Sequence, residues 1–198
     1  MGREFEAKVL LTADEFINIL TNNSGVCLSV LSSKADIYYS KYSSNEEAIK
    51  NGESLTRIRY ENDKTFLTLK NKEKSGNFEN NKEYETRIGD VSVIEKLLTE
   101  AGYTPYFKKY KTAYPVSYYK PDHVNGITVN IELEKIENSK HKEKPTYKCF
   151  YALEIEALVE PGFNIDEDQL SHTVIEAFES FGYAEKDFET RSWQELLK

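Results

Sequence analysis

Near the start of the chain, Glu4-Phe5-Glu6-Ala7-Lys8-Val9 alternates strictly between ionic and apolar side chains. Successive side chains of a β-strand point to opposite faces, so Glu4, Glu6 and Lys8 share one face and Phe5, Ala7 and Val9 the other. The same pattern recurs down the chain. Arg57 and Arg59 flank Ile58, and Lys70 and Lys72 follow Thr68 while Leu67 and Leu69 point the other way. Glu83, Glu85 and Arg87 alternate with Tyr84, Thr86 and Ile88, and Lys109 and Lys111 stand two apart. Glu132 and Glu134 oppose Ile131 and Leu133, just as Glu154 and Glu156 oppose Leu153 and Ile155. A solvent-facing strand gains by mixing signs and loses by setting like charges near one another. Here each strand tends to repeat one sign.

About eight strands are expected, near residues 4–10, 35–41, 54–61, 64–71, 81–88, 107–119, 126–136 and 148–158. Turn signals fall between them at Asn51-Gly52, Glu61-Asn62-Asp63, Ser75-Gly76-Asn77, Pro121-Asp122 and Asn125-Gly126. Helices are expected after Thr12, whose polar side chain precedes Asp14-Glu15, through Val91, Ile94, Leu97 and Leu98, from Asp166 to about Phe181, and over the tail Arg191–Lys198. The polar segment Glu137–Lys148 reads as an extended hairpin loop, a surface flap. Apolar helix stripes must pack on the apolar strand faces, which leaves the ionic faces looking at one another if the sheet closes. The expected fold is therefore α+β, an eight-stranded antiparallel β-barrel with a charged interior and flanking helices, in one domain over residues 1–198.

With 198 residues, 39% hydrophobic and 30% charged, the chain can bury a sizeable core. Its apolar runs, such as Val9-Leu10-Leu11, fall far short of the roughly 20 residues that span a bilayer, so no membrane association is expected. The first residues turn acidic at once and lack an apolar run, which points to the cytosol. A net charge of -8 argues against a coating of nucleic acid polymer. Cys27 and Cys149 have no CxxC or CxxH neighbours and read as small buried hydrophobes, and His123, His141 and His172 sit in loop or helix-surface settings.

Clustered like charges withdrawn from water must be paired or bound to ions. Carboxylates two apart on facing strands offer oxygen ligands to Mg2+ or Mn2+, which bind through carboxylates and phosphate oxygens together. Clustered Arg and Lys suit a polyphosphate, Arg with forked hydrogen bonds and Lys as a point charge. Together they describe a site for a metal-bound triphosphate.

Glu4-Phe5-Glu6-Ala7-Lys8 resembles the ExExK signature of the CYTH superfamily, the triphosphate tunnel metalloenzymes, and further matches follow in order. Leu55-Thr56-Arg57-Ile58-Arg59 resembles the LRIR strand of that family, Thr68-Leu69-Lys70 its TLK strand and Glu83-Tyr84-Glu85 its ExE strand. Lys109 and Lys111 are similar to its KxR pair, Ile131–Ile136 to its LD-containing strand, Leu153-Glu154-Ile155-Glu156 to its FVEIE strand and Arg191–Leu197 to its terminal SYxxLL. The resemblance implies a tunnel-forming eight-stranded barrel. It also implies that Glu4, Glu6, Glu154 and Glu156 hold divalent metal, with Glu134 as a further carboxylate, and that Lys8, Arg57, Arg59, Lys70, Lys109 and Lys111 hold the triphosphate. Lys111 stands where the family has Arg, Glu134 where it has Asp and Trp193 where it has Tyr. A short LG turn of the family is replaced by the loop 137–148, a change that would alter access to the tunnel.

The expected activity is hydrolysis of the terminal phosphate of tripolyphosphate, a nucleoside triphosphate or thiamine triphosphate. A second ion or a tunnel carboxylate such as Glu83 or Glu85 would orient water, and Arg57 and Arg59 would stabilise the transition state. A class IV adenylyl cyclase, also found in the superfamily, and a non-catalytic polyphosphate or nucleotide binder are the competing readings. The expected partner is a small triphosphate-containing substrate, with the chain as monomer or homodimer. Tyr38-Tyr39 and Tyr118-Tyr119 read as outward-facing strand residues, Trp193 as a packing anchor of the last helix and His141 as part of a solvated loop.

Overall fold

The computed structural model describes residues 2–23, 26, 31–117 and 126–198. Eight strands close into one antiparallel barrel: β1 (Gly2–Leu11), β2 (Ser32–Ser40), β3 (Leu55–Glu61), β4 (Lys64–Ser75), β5 (Phe78–Arg87), β6 (Thr104–Pro115), β7 (Ile127–Glu137) and β8 (Cys149–Val159). Around the barrel the order is β1-β5-β4-β3-β2-β6-β7-β8, with β8 returning to β1. Closure leaves no free sheet edge and gives every strand an inner and an outer face. Five helices flank it: α1 (Ala13–Asn22), α2 (Asn45–Lys50), α3 (Val91–Glu100), α4 (Glu167–Glu179) and α5 (Trp193–Leu197).

The outer faces of β1, β7 and β8 form the main core. Phe5, Ala7 and Val9 of β1, Ile131 and Leu133 of β7 and Leu153 and Ile155 of β8 pack under Phe16 of α1 and Leu170, Val174, Ala177 and Phe178 of α4. Capping fixes where these helices begin. The Thr12 hydroxyl accepts from the Glu15 amide while the Glu15 carboxylate accepts from the Thr12 amide at 2.7 Å, and Asp166 accepts from the Gln169 amide at 2.7 Å.

A second apolar cluster sits at one end of the barrel lumen. Ile136 and Ala152 share the inner parity of Glu134 and Glu154, yet they are apolar and fully buried beneath Trp193, Leu196 and Leu197 of α5, with Leu10, Phe107 and Phe150 packed alongside. Helix α5 is thus a plug over one end of the lumen. Its start is set by a Ser192/Glu195 capping box, and the Gln194 side chain accepts from the Asn45 amide at the head of α2 (2.9 Å).

Several sequence expectations shift. Strands β4 and β5 run on to Ser75 and back from Phe78, since a polar run such as Glu79-Asn80-Asn81-Lys82 shows no apolar alternation even when half of it faces a polar lumen. Helix α2 was not anticipated because six residues carry too little periodicity, although Ser44 caps it. Tyr38 is not outward-facing. It lines the lumen, whereas Tyr39 on the outer face is buried and donates from its hydroxyl to Glu95 at 2.6 Å. Cys149 is only half-buried, and Cys27, Tyr118, Tyr119, His123 and the Pro121-Asp122 turn lie outside the described residues. The loop after β7 does not reach the lumen; it closes on itself through Asn138 and Lys148 and touches the end of α5, where the Lys148 ammonium donates to the Leu196 carbonyl at 3.4 Å. Gly126, at the foot of β7, has φ +89, and a Cβ there would fall 2.3 Å from the Phe163 ring, so only glycine fits. Among the described residues, no helix is long and apolar enough to cross a membrane.

Trp193 is the single tryptophan of the chain, which makes the plug directly observable. Replacing Leu196 and Leu197 together by Ala removes about 2–5 kcal/mol of apolar burial at each position. The expected result is a red-shifted Trp193 emission with greater acrylamide quenching, while far-ultraviolet circular dichroism still reports an intact barrel.

Candidate active site

The lumen encloses about 540 Å³ and is lined by ionic side chains from around the barrel. Antiparallel register puts these groups level with one another: Glu6 lies opposite Glu156 on β8 and Glu79 on β5, Lys8 opposite Glu154, Lys70 opposite Glu83, and Asp36 opposite both Arg59 and Lys109. A one-residue slip in any strand would turn its ionic row outward, so register and site are a single property of the sheet.

Toward the unplugged end, Glu4, Glu6 and Glu156 each place a carboxylate oxygen within 4.8 Å of the others. Lys70 reaches into the group, donating to Glu6 at 3.1 Å and Glu4 at 3.4 Å and pairing with Glu83 at 3.0 Å. One lysine does not neutralise the cluster. Burial, reinforced by the Glu156, Glu83 and Glu6 charges against the pull of Lys70, pushes the Glu4 carboxyl up to about 9. Burial and the neighbouring Glu6 likewise raise Glu156 to about 7. Fully buried Asn81 donates to Glu6 at 3.1 Å while its own Oδ1 has no hydrogen-bond partner. Three crowded carboxylates beside an unsatisfied amide oxygen make an all-oxygen donor set that suits a hard divalent cation.

The structure brings three of the five expected metal carboxylates together and places the other two elsewhere. Glu134 is fully buried in direct contact with the Lys111 ammonium, with Glu154 at 3.4 Å and Glu132 at 3.7 Å from that same ammonium. Burial raises Glu134 well above the usual carboxylate range, and the nearby Glu154 charge adds to the shift. Burial acts on Glu132 and Glu154 as well, but Lys111, joined by Lys34 at Glu132, outweighs it and holds both near about 2.

The cations gather deeper in. Arg57 places a guanidinium nitrogen 3.1 Å from the Thr68 hydroxyl, 3.4 Å from Glu85 and 3.9 Å from Glu83, while its Nε is buried without a hydrogen-bond partner. Arg59 binds Asp36 through two hydrogen bonds, at 2.8 and 3.0 Å. Lys109 stands 3.8 Å from the same aspartate. At the plug, the Lys8 and Lys109 ammonium groups lie 5.5 and 5.9 Å from the centroid of the Trp193 ring, whose indole donates to Glu154 at 3.4 Å. Trp193 is therefore also a wall of the lumen, attracting two of its cations through the ring face.

Sequence reasoning passed over Asp36, Lys34, Glu79 and Asn81, all of inward parity, and gave Thr68 and Lys72 a place on the ionic face but no role. For β2 the signal was present, since Lys34, Asp36 and Tyr38 alternate with Ala35, Ile37 and Tyr39, but the tyrosines obscured it. Glu79, bridging Lys72 at 2.5 Å and Lys8 at 3.9 Å, lies in the polar run that gave no strand signal.

The family model described as CYTH domain matches residues 2–192. A conserved hypothetical protein from Pyrococcus furiosus superposes with a TM-score of 0.67 at 20% identity, covering 98% of this chain and 99% of that one. A protein of Pyrococcus horikoshii OT3 gives 0.68 at 23% identity over 98% and 97% of the two chains. A Hippeastrum protein, described as a candidate adenylyl cyclase with a dominant triphosphatase activity, gives 0.59 at 15% identity over 100% and 95%. At these identities the superpositions speak for the fold. None of the curated proteins matches the sequence.

Glu4 and Glu156 are held above the ordinary carboxyl value of 4.5, so the folded state binds their protons more tightly than the unfolded state does. The contribution of these two groups to stability is then fully present below about 4.5 and is lost as pH rises through about 7 for Glu156 and about 9 for Glu4. In chelator, the thermal midpoint is expected to fall between pH 5 and pH 8. Millimolar Mg2+ or Mn2+ should remove most of that fall, and Glu156→Gln should remove part of it without metal.

Proposed function

This chain belongs to the CYTH family, and from that membership together with the lumen chemistry we propose that it is a divalent-metal-dependent triphosphatase. The observation that carries the proposal is the Glu4, Glu6 and Glu156 carboxylate group lying in one cavity with Lys70, Arg57, Arg59, Lys109 and Lys111. An anion binder gains nothing from crowded carboxylates, and a metal buffer gains nothing from buried guanidinium groups. A metal-bound polyphosphate uses both.

Glu4, Glu6 and Glu156 would hold Mg2+ or Mn2+, which when bound neutralises phosphate oxygens and polarises the phosphorus. Arg57 and Arg59 bind the phosphate chain, and the unpartnered Arg57 Nε is a donor ready for a phosphate oxygen. Lys8, Lys109 and Lys111 hold the rest of the chain by charge. Glu85, the most exposed carboxylate on this wall and oriented by the Thr68 hydroxyl at 2.8 Å, positions a water molecule in line with the terminal phosphorus and accepts its proton. A new P–O bond forms to water, the bond to the bridging oxygen breaks, and orthophosphate and the shortened phosphate chain leave. Charge spread over the terminal oxygens in the transition state falls among Arg57, Arg59 and Lys70.

The Hippeastrum protein supports this reading over cyclisation, since the activity described for it as dominant is triphosphatase. The test is to incubate pure protein with Mg2+ or Mn2+ and either tripolyphosphate or ATP and to resolve the products. Orthophosphate abolished by chelator is expected. Cyclic AMP with pyrophosphate as the main product would establish the cyclase instead. Glu6→Gln should lower turnover by at least about 100-fold, and undiminished turnover in that variant would overturn the metal assignment.

A further inference from the structure

The phosphate-binding cations of this lumen converge on one group the proposed reaction leaves unused. Asp36 on β2 is fully buried. Around the barrel β2 lies between β3 and β6, and the register sets Asp36 opposite Arg59 on one side and Lys109 on the other. Both Arg59 hydrogen bonds end on it, at 2.8 and 3.0 Å, and Arg57 and Lys109 each stand 3.8 Å away. Three cations from two strands thus share a single carboxylate. The three attractions outweigh the strong opposing effect of burial and keep it far below the usual range for aspartate.

We propose that Asp36 is a positioning residue, a fixed anchor that holds Arg57, Arg59 and Lys109 in the arrangement that receives the phosphate chain. The inference rests on the triphosphate reading and adds to it a residue that touches no substrate. Its physical basis is competition inside a crowded lumen. Each of the three cations has another carboxylate within range: Glu85 at 3.4 Å and Glu83 at 3.9 Å for Arg57, Glu61 for Arg59 and Glu154 for Lys109. Without the central anion, three like charges on neighbouring positions repel, and each side chain swings to its other partner. The cations would then remain in the barrel but no longer face one ligand. Asp36 accepts Arg59 through Nε and one terminal nitrogen, which fixes the plane of the guanidinium and leaves its other terminal nitrogen for phosphate.

Three roles for this carboxylate predict effects of different sign. Asp36→Asn keeps the shape and removes the charge. A positioning role predicts that the dissociation constant for imidotriphosphate, a non-hydrolysable tripolyphosphate, rises at least about 10-fold in Mg2+ by calorimetry, because the cations scatter. If the carboxylate served only as a counter-charge, its removal would tighten binding. If it served only the fold, the thermal midpoint would drop and binding by the folded protein would stay the same. Tighter or unchanged binding overturns the proposal. A wild-type protein that binds no imidotriphosphate overturns the triphosphate reading and this inference with it, so the two failures are distinguishable. Should the Asp36→Asn variant fail to fold, the wild type answers instead by NMR of its arginine side chains. The Arg59 Nε–H resonance should stay protected from solvent exchange when imidotriphosphate saturates the lumen, and loss of that protection would show that Arg59 leaves Asp36 on binding, contrary to the proposal.

Discussion

Eight strands turn ionic rows toward one another inside a closed barrel, and every charge in that lumen must find an opposite charge, water or a ligand. Taking ions out of bulk water is costly, and the cost is recovered only where partners stand within a few ångströms. The arrangement follows from this. Lys70 is drawn into the Glu4 and Glu6 pair, Lys111 among Glu132, Glu134 and Glu154, Glu79 between Lys72 and Lys8, and Asp36 into the midst of Arg57, Arg59 and Lys109. Compensation is good around Asp36 and poor at Glu134 and at the carboxylate group near one end, where burial and neighbouring carboxylates hold Glu134, Glu4 and Glu156 above the ordinary range. The barrel is polar inside and apolar outside, and the helices complete a conventional hydrophobic core by covering the outer faces of β1, β7 and β8.

This inversion explains why the lumen can be rigid without being filled. Each inward side chain is held by backbone register and by its neighbours, which on the proposed reading sets the groups close to their working positions before a ligand arrives. The plug contributes at the other end. Apolar inner positions such as Ile136 and Ala152 would be a liability in an ionic lumen, and α5 turns them into a second small core whose rim is Trp193. The same ring that seals the end also faces Lys8 and Lys109, which links closure of the barrel to placement of two of its cations.

Much of this was legible in the chain. Period-two alternation with one sign repeated along each strand identified the inner face of β1, β3, β7 and β8, because parity is a property of the backbone alone. Where that signal was diluted it failed. In β2 the adjacent tyrosines drew attention from Asp36, although Tyr38 and Asp36 share a face; in β5 an unbroken polar run hid Glu79 and Asn81. The six-residue α2 and the true lengths of β4 and β5 depend on tertiary neighbours that no local window contains.

By itself, then, the sequence determined which side chains share a face, where helices start, and that the sheet has to close around its own charges, since each of these follows from local geometry and from the cost of exposed apolar or unpaired ionic surface. It could not determine which carboxylate meets which cation. Glu132 and Glu134 have the same spacing and chemistry as Glu4 and Glu6, yet the stagger of β6, β7 and β8 delivers the first pair to Lys111, while that of β1, β8 and β5 gathers Glu4 and Glu6 with Glu156. Pairing across a barrel is set by the register of strands distant in the chain, and only the closed tertiary structure fixes that register.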